Sequence, residues 1–178
     1  LRRQGRLDEA TALLRDAAER AAGLGTRGAL LFTSSEARAQ LLLADAEGSS
    51  AAARRAALGE ARRACRELQT VARADALAVA SACRLRGVYE SLRDRPKAAQ
   101  ACWRKSLAAA ERQGARYEAA LTRLEMGRCI DDHVALEQAR ADFAAIGAEQ
   151  DLVMTRRLLE PGPVAERQLA TSDERTTL

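Results

Sequence analysis

Of the 178 residues, 47% are apolar but only 3% aromatic, and 29 basic against 25 acidic side chains leave a net charge of +4. Alanine, leucine and arginine dominate, and these side chains lose little rotamer freedom in a helix. Three prolines and few β-branched residues leave no stretch that alternates as a strand does, so sheet architectures are excluded and an all-α fold is expected.

The longest apolar runs, such as 76–83, are far too short to span a bilayer, and no charged-then-apolar leader opens the chain. A soluble cytoplasmic protein is the expectation. Cys65, Cys83, Cys102 and Cys129 fall singly within helical stretches, with one histidine in the chain to join them. They read as buried free thiols, and no metal or cofactor is assigned. The charges are interleaved, which suits solvated helix faces better than a nucleic-acid footprint.

Apolar residues recurring at three and four positions predict about eight helices in succession. The first covers about 7–22, and Gly23, Gly25 and Gly28 close it. The second runs over about 29–47, with Thr33 and Glu36 spaced as a capping box that would start it later. The third covers about 50–71 with Ala57, Ala61, Ala64, Cys65 and Leu68 inward, and the fourth about 73–92.

Pro96 suits a helix restart, because its missing N–H would have no partner in a first turn. The fifth helix then runs to about Gln113, where Gly114 can take the left-handed cap. The sixth, seventh and eighth are expected over about 116–130, 132–146 and 149–160. Beyond Pro161, Gly162 and Pro163 the chain is polar to Leu178, and 161–178 reads as a disordered tail.

An internal repeat runs through these helices. Gly87, Ala99, Trp103 and Ser106 recur as Gly127, Ala139, Phe143 and Ile146, with the same successive spacings of 12, 4 and 3. The second-helix triplet returns as Ala10, Leu14 and Ala17 in GRLDEATALLRDA, and as Ala61, Cys65 and Leu68. A small residue at a helix crossing lets two backbones approach closely while a larger one fills the adjacent hole, so Trp103 and Phe143 are expected to be core plugs.

On these residues the chain resembles the tetratricopeptide repeat. Its repeat length is 40 between Gly87 and Gly127 where the family has 34, and the closing proline is absent. Segments such as RPKAAQACWRKSLAAAERQGARYEAALTRLEMGR also resemble the C-terminal arrays of large bacterial signal-transduction ATPases. The resemblance implies a right-handed superhelix of antiparallel hairpins over 1–160, with an incomplete first repeat and more repeats expected ahead of Leu1. The function it implies is that of a non-catalytic protein-interaction and scaffold module of a larger signalling or transcription-regulating ATPase, cyclase or kinase.

The groove of that family is lined by first helices. Carried over by register, it would comprise Ser81, Arg84, Val88 and Ser91 from one hairpin, and Leu121, Leu124, Arg128 and Asp131 from the next. Such a mixed surface with two arginines would accept an acidic or amphipathic protein segment. The chain has no asparagine, which disfavours the asparagine-based clamp by which some family members hold chaperone tails.

No phosphate loop, nucleophile elbow or H-E-x-x-H appears, so no catalytic residue is assigned. Asp131, Asp132 and His133 stand at a helix N-terminus, where carboxylates cap exposed N–H groups. Arg54, Arg55, Arg62, Arg63 and Arg66 make the third helix the most basic local surface. The alternative function is a nucleic-acid-binding helical repeat using these arginines, although no aromatic side chains accompany them for stacking.

Overall fold

The computed structural model describes residues 27–160, together with positions 9, 12, 13 and 16, where the backbone is helical. The rest of the expected first helix and the expected tail at 161–178 lie outside the described residues. Among the described residues there are seven α-helices and no strand. We number them α1 (Arg27–Gly48), α2 (Ala51–Ala74), α3 (Val79–Ser91), α4 (Pro96–Gln113), α5 (Arg116–Ile130), α6 (His133–Ile146) and α7 (Glu149–Leu159).

Local chemistry sets most of the boundaries. Pro96 occupies the first turn of α4, and Gly114 and Gly147 end α4 and α6 with φ of 64° and 71°. That left-handed conformation costs glycine nothing because it has no Cβ. The Asp132 carboxylate accepts a hydrogen bond from the Ala135 N–H at 3.0 Å, capping α6. Asp131 takes the left-handed position that closes α5, with φ of 58°.

Two expectations fail at helix starts. The joint expected near residue 72 falls at Asp75 instead, which adopts an extended conformation and whose carboxylate accepts from the Leu77 N–H at 2.9 Å. A short 3₁₀ turn over Ala76–Ala78 follows before α3 begins. Thr33 and Glu36 do not start α1, which is helical from Arg27 through both; Glu36 instead reaches across to Arg84.

Turns of two to four residues reverse the chain between α1 and α2, α3 and α4, α5 and α6, and packing is densest within these three pairs. The pairs meet one another through α1 against α3 and α3 against α5, as well as through α2–α3 and α4–α5. No comparable packing joins α2 to α4 or α4 to α6 among the described residues. The first helices of successive pairs therefore form a continuous row, with α3 at its centre. Nine of the thirteen α3 residues are buried, which is why that helix shows no apolar stripe.

The core falls into unequal parts. A large cluster joins α1 to α4 around Leu43, Leu68, Leu85, Tyr89 and Trp103, and a smaller one joins α5 to α7 around Leu124, Leu136, Phe143 and Leu152. An alanine patch of Ala80, Ala109, Ala110 and Ala119 lies between them. Trp103 and Phe143 are both fully buried, but the recurring glycines do not meet them alike. A Cβ on Gly87 would stand 2.6 Å from Cε2 of Trp103, whereas one on Gly127 would stand 2.5 Å from Cδ2 of Leu136. The turn before α6 is two residues against four before α4, so α6 begins earlier relative to the glycine and presents Leu136 to it.

Candidate interaction face

The row of first helices carries seven of the eight residues expected to line a groove, and the eighth, Asp131, closes α5. Ser81, Arg84, Val88 and Leu124 are buried, with exposures of 1%, 3%, 4% and 5%. Arg84 lies between α1 and α5, Val88 belongs to the Trp103 cluster and Leu124 to the Phe143 cluster, and none of the four presents a surface. Physically, α3 is packed on four sides, so positions that would face solvent in an isolated hairpin face α1 or α5 here. Ser91 is half-buried and its hydroxyl donates to the Cys129 carbonyl at 3.5 Å. Leu121 is half-buried against the Phe143 cluster, and Asp131 is exposed.

The two arginines brace this row. Arg84 on α3 donates from Nη2 to Oε1 of Glu36 on α1 at 3.0 Å and from Nε to Oε2 of Glu118 on α5 at 3.2 Å. A guanidinium held between two carboxylates in this way has its charge satisfied by the fold itself, and an unpaired one at 3% exposure would be prohibitively costly. Its backbone carbonyl meanwhile accepts from Nε1 of Trp103 at 3.2 Å.

Arg128 pairs with Glu125 on its own helix at 2.7 Å and with Glu47 on α1. Farther along the row, Tyr117 of α5 donates to Asp151 of α7 at 3.0 Å.

The titration behaviour follows from burial. Burial pushes the Glu36 carboxyl above its usual range, with the Arg84 guanidinium pulling against it. At Arg128 burial opposes the charge, yet the carboxylates of Glu125 and Glu47 keep its proton above the ordinary arginine range. Burial lifts the Cys65 thiol to about 12 and the Cys129 thiol to about 11.

No family model, curated protein or solved structure matches the chain.

Along the row of first helices, α1 offers an exposed stripe. Thr33, Gln40 and Ala44 are exposed and share, at helical spacing, the stripe of Glu36 and Glu47 that reaches α3 and α5. Sequence reasoning missed Glu36, Glu47, Glu118 and Glu125 as partners of the two arginines, since three of the four pairs span 34 residues or more.

The other residues singled out divide cleanly. Arg63 pairs with Glu60. Arg54 donates to the Leu92 carbonyl at 2.9 Å, and Arg55 and Arg62 border a depression shared with α3. His133, the one histidine, is exposed at the start of α6, and its neighbour Asp132 is engaged as the cap. Among the described residues no three histidine, cysteine or carboxylate side chains converge as a metal site, and no helix is long and apolar enough to cross a membrane.

Proposed function

We propose that the chain is a non-catalytic protein-interaction and scaffold module, a tetratricopeptide-like array whose hairpins wind as a right-handed superhelix. In this reading it works in the cytoplasm as the C-terminal part of a larger bacterial signalling or transcription-regulating ATPase, cyclase or kinase. The observation that carries the reading is the row of first helices, α1, α3 and α5, packed directly on one another and tied by Glu36–Arg84–Glu118. Side-by-side hairpins joined this way generate an extended face that one segment of another protein can follow.

That face is rigid where Arg84 and Arg128 brace it and accessible along Thr33, Gln40 and Ala44 of α1. The test is binding between the 178-residue chain and the catalytic domain encoded next to it, measured by calorimetry, with Ala44→Arg as the blocking variant. Saturable binding that A44R weakens at least tenfold is expected. No ATP-binding, cyclase or kinase domain in the same reading frame overturns the parentage, and binding indifferent to A44R overturns the assignment of the face.

A further inference from the structure

On another side of the molecule, where α2 passes the end of α3, Arg54, Arg55, Arg62 and Arg93 surround a depression of about 410 Å³. Gly59 lies in its lining with nothing within 4 Å of where a Cβ would stand, so the space beside α2 is open. Two of these four charges are uncompensated among the described residues. Arg55 and Arg62 are exposed, one helical stripe apart by seven residues, and have no ion pair or hydrogen bond among the described residues. Glu90 offsets Arg93 at 3.7 Å, but its one charge is shared with Arg86 and Arg95. Like charges gathered in a concavity raise the local potential for anions.

Two of the guanidiniums are already positioned. Arg54 is held by its bond to the Leu92 carbonyl, and Arg93 lies over the Tyr89 ring at 5.5 Å. Tyr89 also lines the depression: the residue as a whole is 3% exposed, and its hydroxyl, which has no hydrogen-bond partner among the described residues, is left to solvent. A phenol O–H left to solvent is a donor that a bound anion can take up without breaking a bond inside the fold.

We propose that this depression binds a phosphoryl group carried by a compact ligand, a phosphate ester or a diphosphate. The planar forks of Arg55 and Arg62 would each take two oxygens, the fixed heads of Arg54 and Arg93 would neutralise the rest, and the Tyr89 hydroxyl would donate to one oxygen. A compact ligand fits better than a nucleic-acid strand. The basic residues converge on one concavity, Arg63 is turned away to Glu60, and the single aromatic ring is covered by Arg86 and Arg93 and offers no platform to a base.

The experiment titrates the 178-residue chain with inorganic pyrophosphate by calorimetry, beside R55A, R62A, R66A and Y89F. Saturable one-to-one binding is expected, weakened about tenfold or more by R55A, R62A and Y89F, since each removes a bond to a charged group. R66A, exposed on α2 but outside the depression, should bind as the wild type does. Circular dichroism checks that each variant keeps its helices. No saturable binding overturns the proposal, as does equal weakening by R66A. A length series of DNA and RNA oligonucleotides separates the competing case: affinity that rises with length and falls alike in R62A and R66A would mark an extended basic surface and overturn the compact site.

Discussion

At the scale of single residues, the glycines divide by what surrounds them. Gly87 and Gly127 leave room for Trp103 and Leu136, while Gly59 on α2 borders open space. Gly87→Ala drives a methyl into an indole that is fully buried and tied to the Arg84 carbonyl, and should cost about 3 kcal/mol by overpacking. Gly59→Ala adds helix propensity without a clash and should stabilise by about 0.5–1 kcal/mol. Urea midpoints of the two variants should therefore move in opposite directions. The cysteines give a second residue-scale outcome. With its thiol pushed up to about 12, Cys65 holds about one part in ten thousand as thiolate at pH 8, and Cys129 at about 11 holds only about ten times more. Native protein should react with a thiol reagent first at half-buried Cys83 and Cys102 and last at Cys65, as peptide mapping after timed labelling would read. These raised thiols also fix a sign. The unfolded chain loses its thiol protons first as pH climbs, so the stability they contribute is full below about pH 8.5 and is lost as pH rises towards 12. Denaturation midpoints at pH 8 and 10 should fall, and Cys65→Ala should flatten the fall.

At the scale of helices, the brace on Arg84 decides how the first helices hold together. Arg84→Ala leaves the half-buried Glu36 and Glu118 with no cation between them and should cost about 2–3 kcal/mol, since each loses a charge-assisted hydrogen bond. The loss has a pH sign. The Glu36 carboxyl already titrates above its usual range, and without the guanidinium it rises further. A carboxyl raised in the fold favours the folded state below its unfolded value and loses that contribution as pH increases, so the deficit of R84A should be largest at neutral pH and shrink towards pH 4. Paired urea titrations at pH 7 and pH 4 measure this, and an equal deficit at both would place the cost in lost packing instead. This brace also shows where sequence reading stops. Pro96, Gly114, Gly147 and Asp132 act through neighbours a few residues away, so each helix edge they set is legible in the chain. The inward faces of α2, α4 and α6 follow from spacing for the same reason. Glu36 and Glu118 lie 48 and 34 residues from Arg84, and nothing local distinguishes them from solvated carboxylates. Spacing alone puts the joint at Asp75 three residues early because alanines flank it on both sides, and only the carboxylate's preference for the Leu77 N–H fixes where the helix stops. Equal spacing likewise could not reveal that a shorter turn gives Gly127 a different neighbour from Gly87.

At the scale of the whole molecule, the row of helices is not uniformly stable. The cluster around Trp103 draws on α1, α2, α3 and α4 and is reinforced by Met126, Cys129 and Ile130 of α5. The cluster around Phe143 draws on α5, α6 and α7 and has fewer buried side chains, while Val153, Met154 and Leu158 of α7 remain exposed. Where two parts of a fold are held unequally, the part with the thinner core opens first. The chain carries one tryptophan, Trp103, so its fluorescence reports the thicker part, whereas helicity by circular dichroism reports all seven described helices. The two signals should separate in urea, with helicity beginning to fall before the tryptophan signal does. Phe143→Ala deletes the largest plug of the thinner core, a change worth about 3–5 kcal/mol. It should move the early loss of helicity to lower urea and leave the Trp103 midpoint almost where it was. Amide exchange should agree, with α6 and α7 exchanging ahead of α3, whose neighbours cover it on every side. Coincident transitions that shift together on F143A would instead mean that the alanine patch of Ala80, Ala109, Ala110 and Ala119 couples the two cores strongly enough to make them unfold as one.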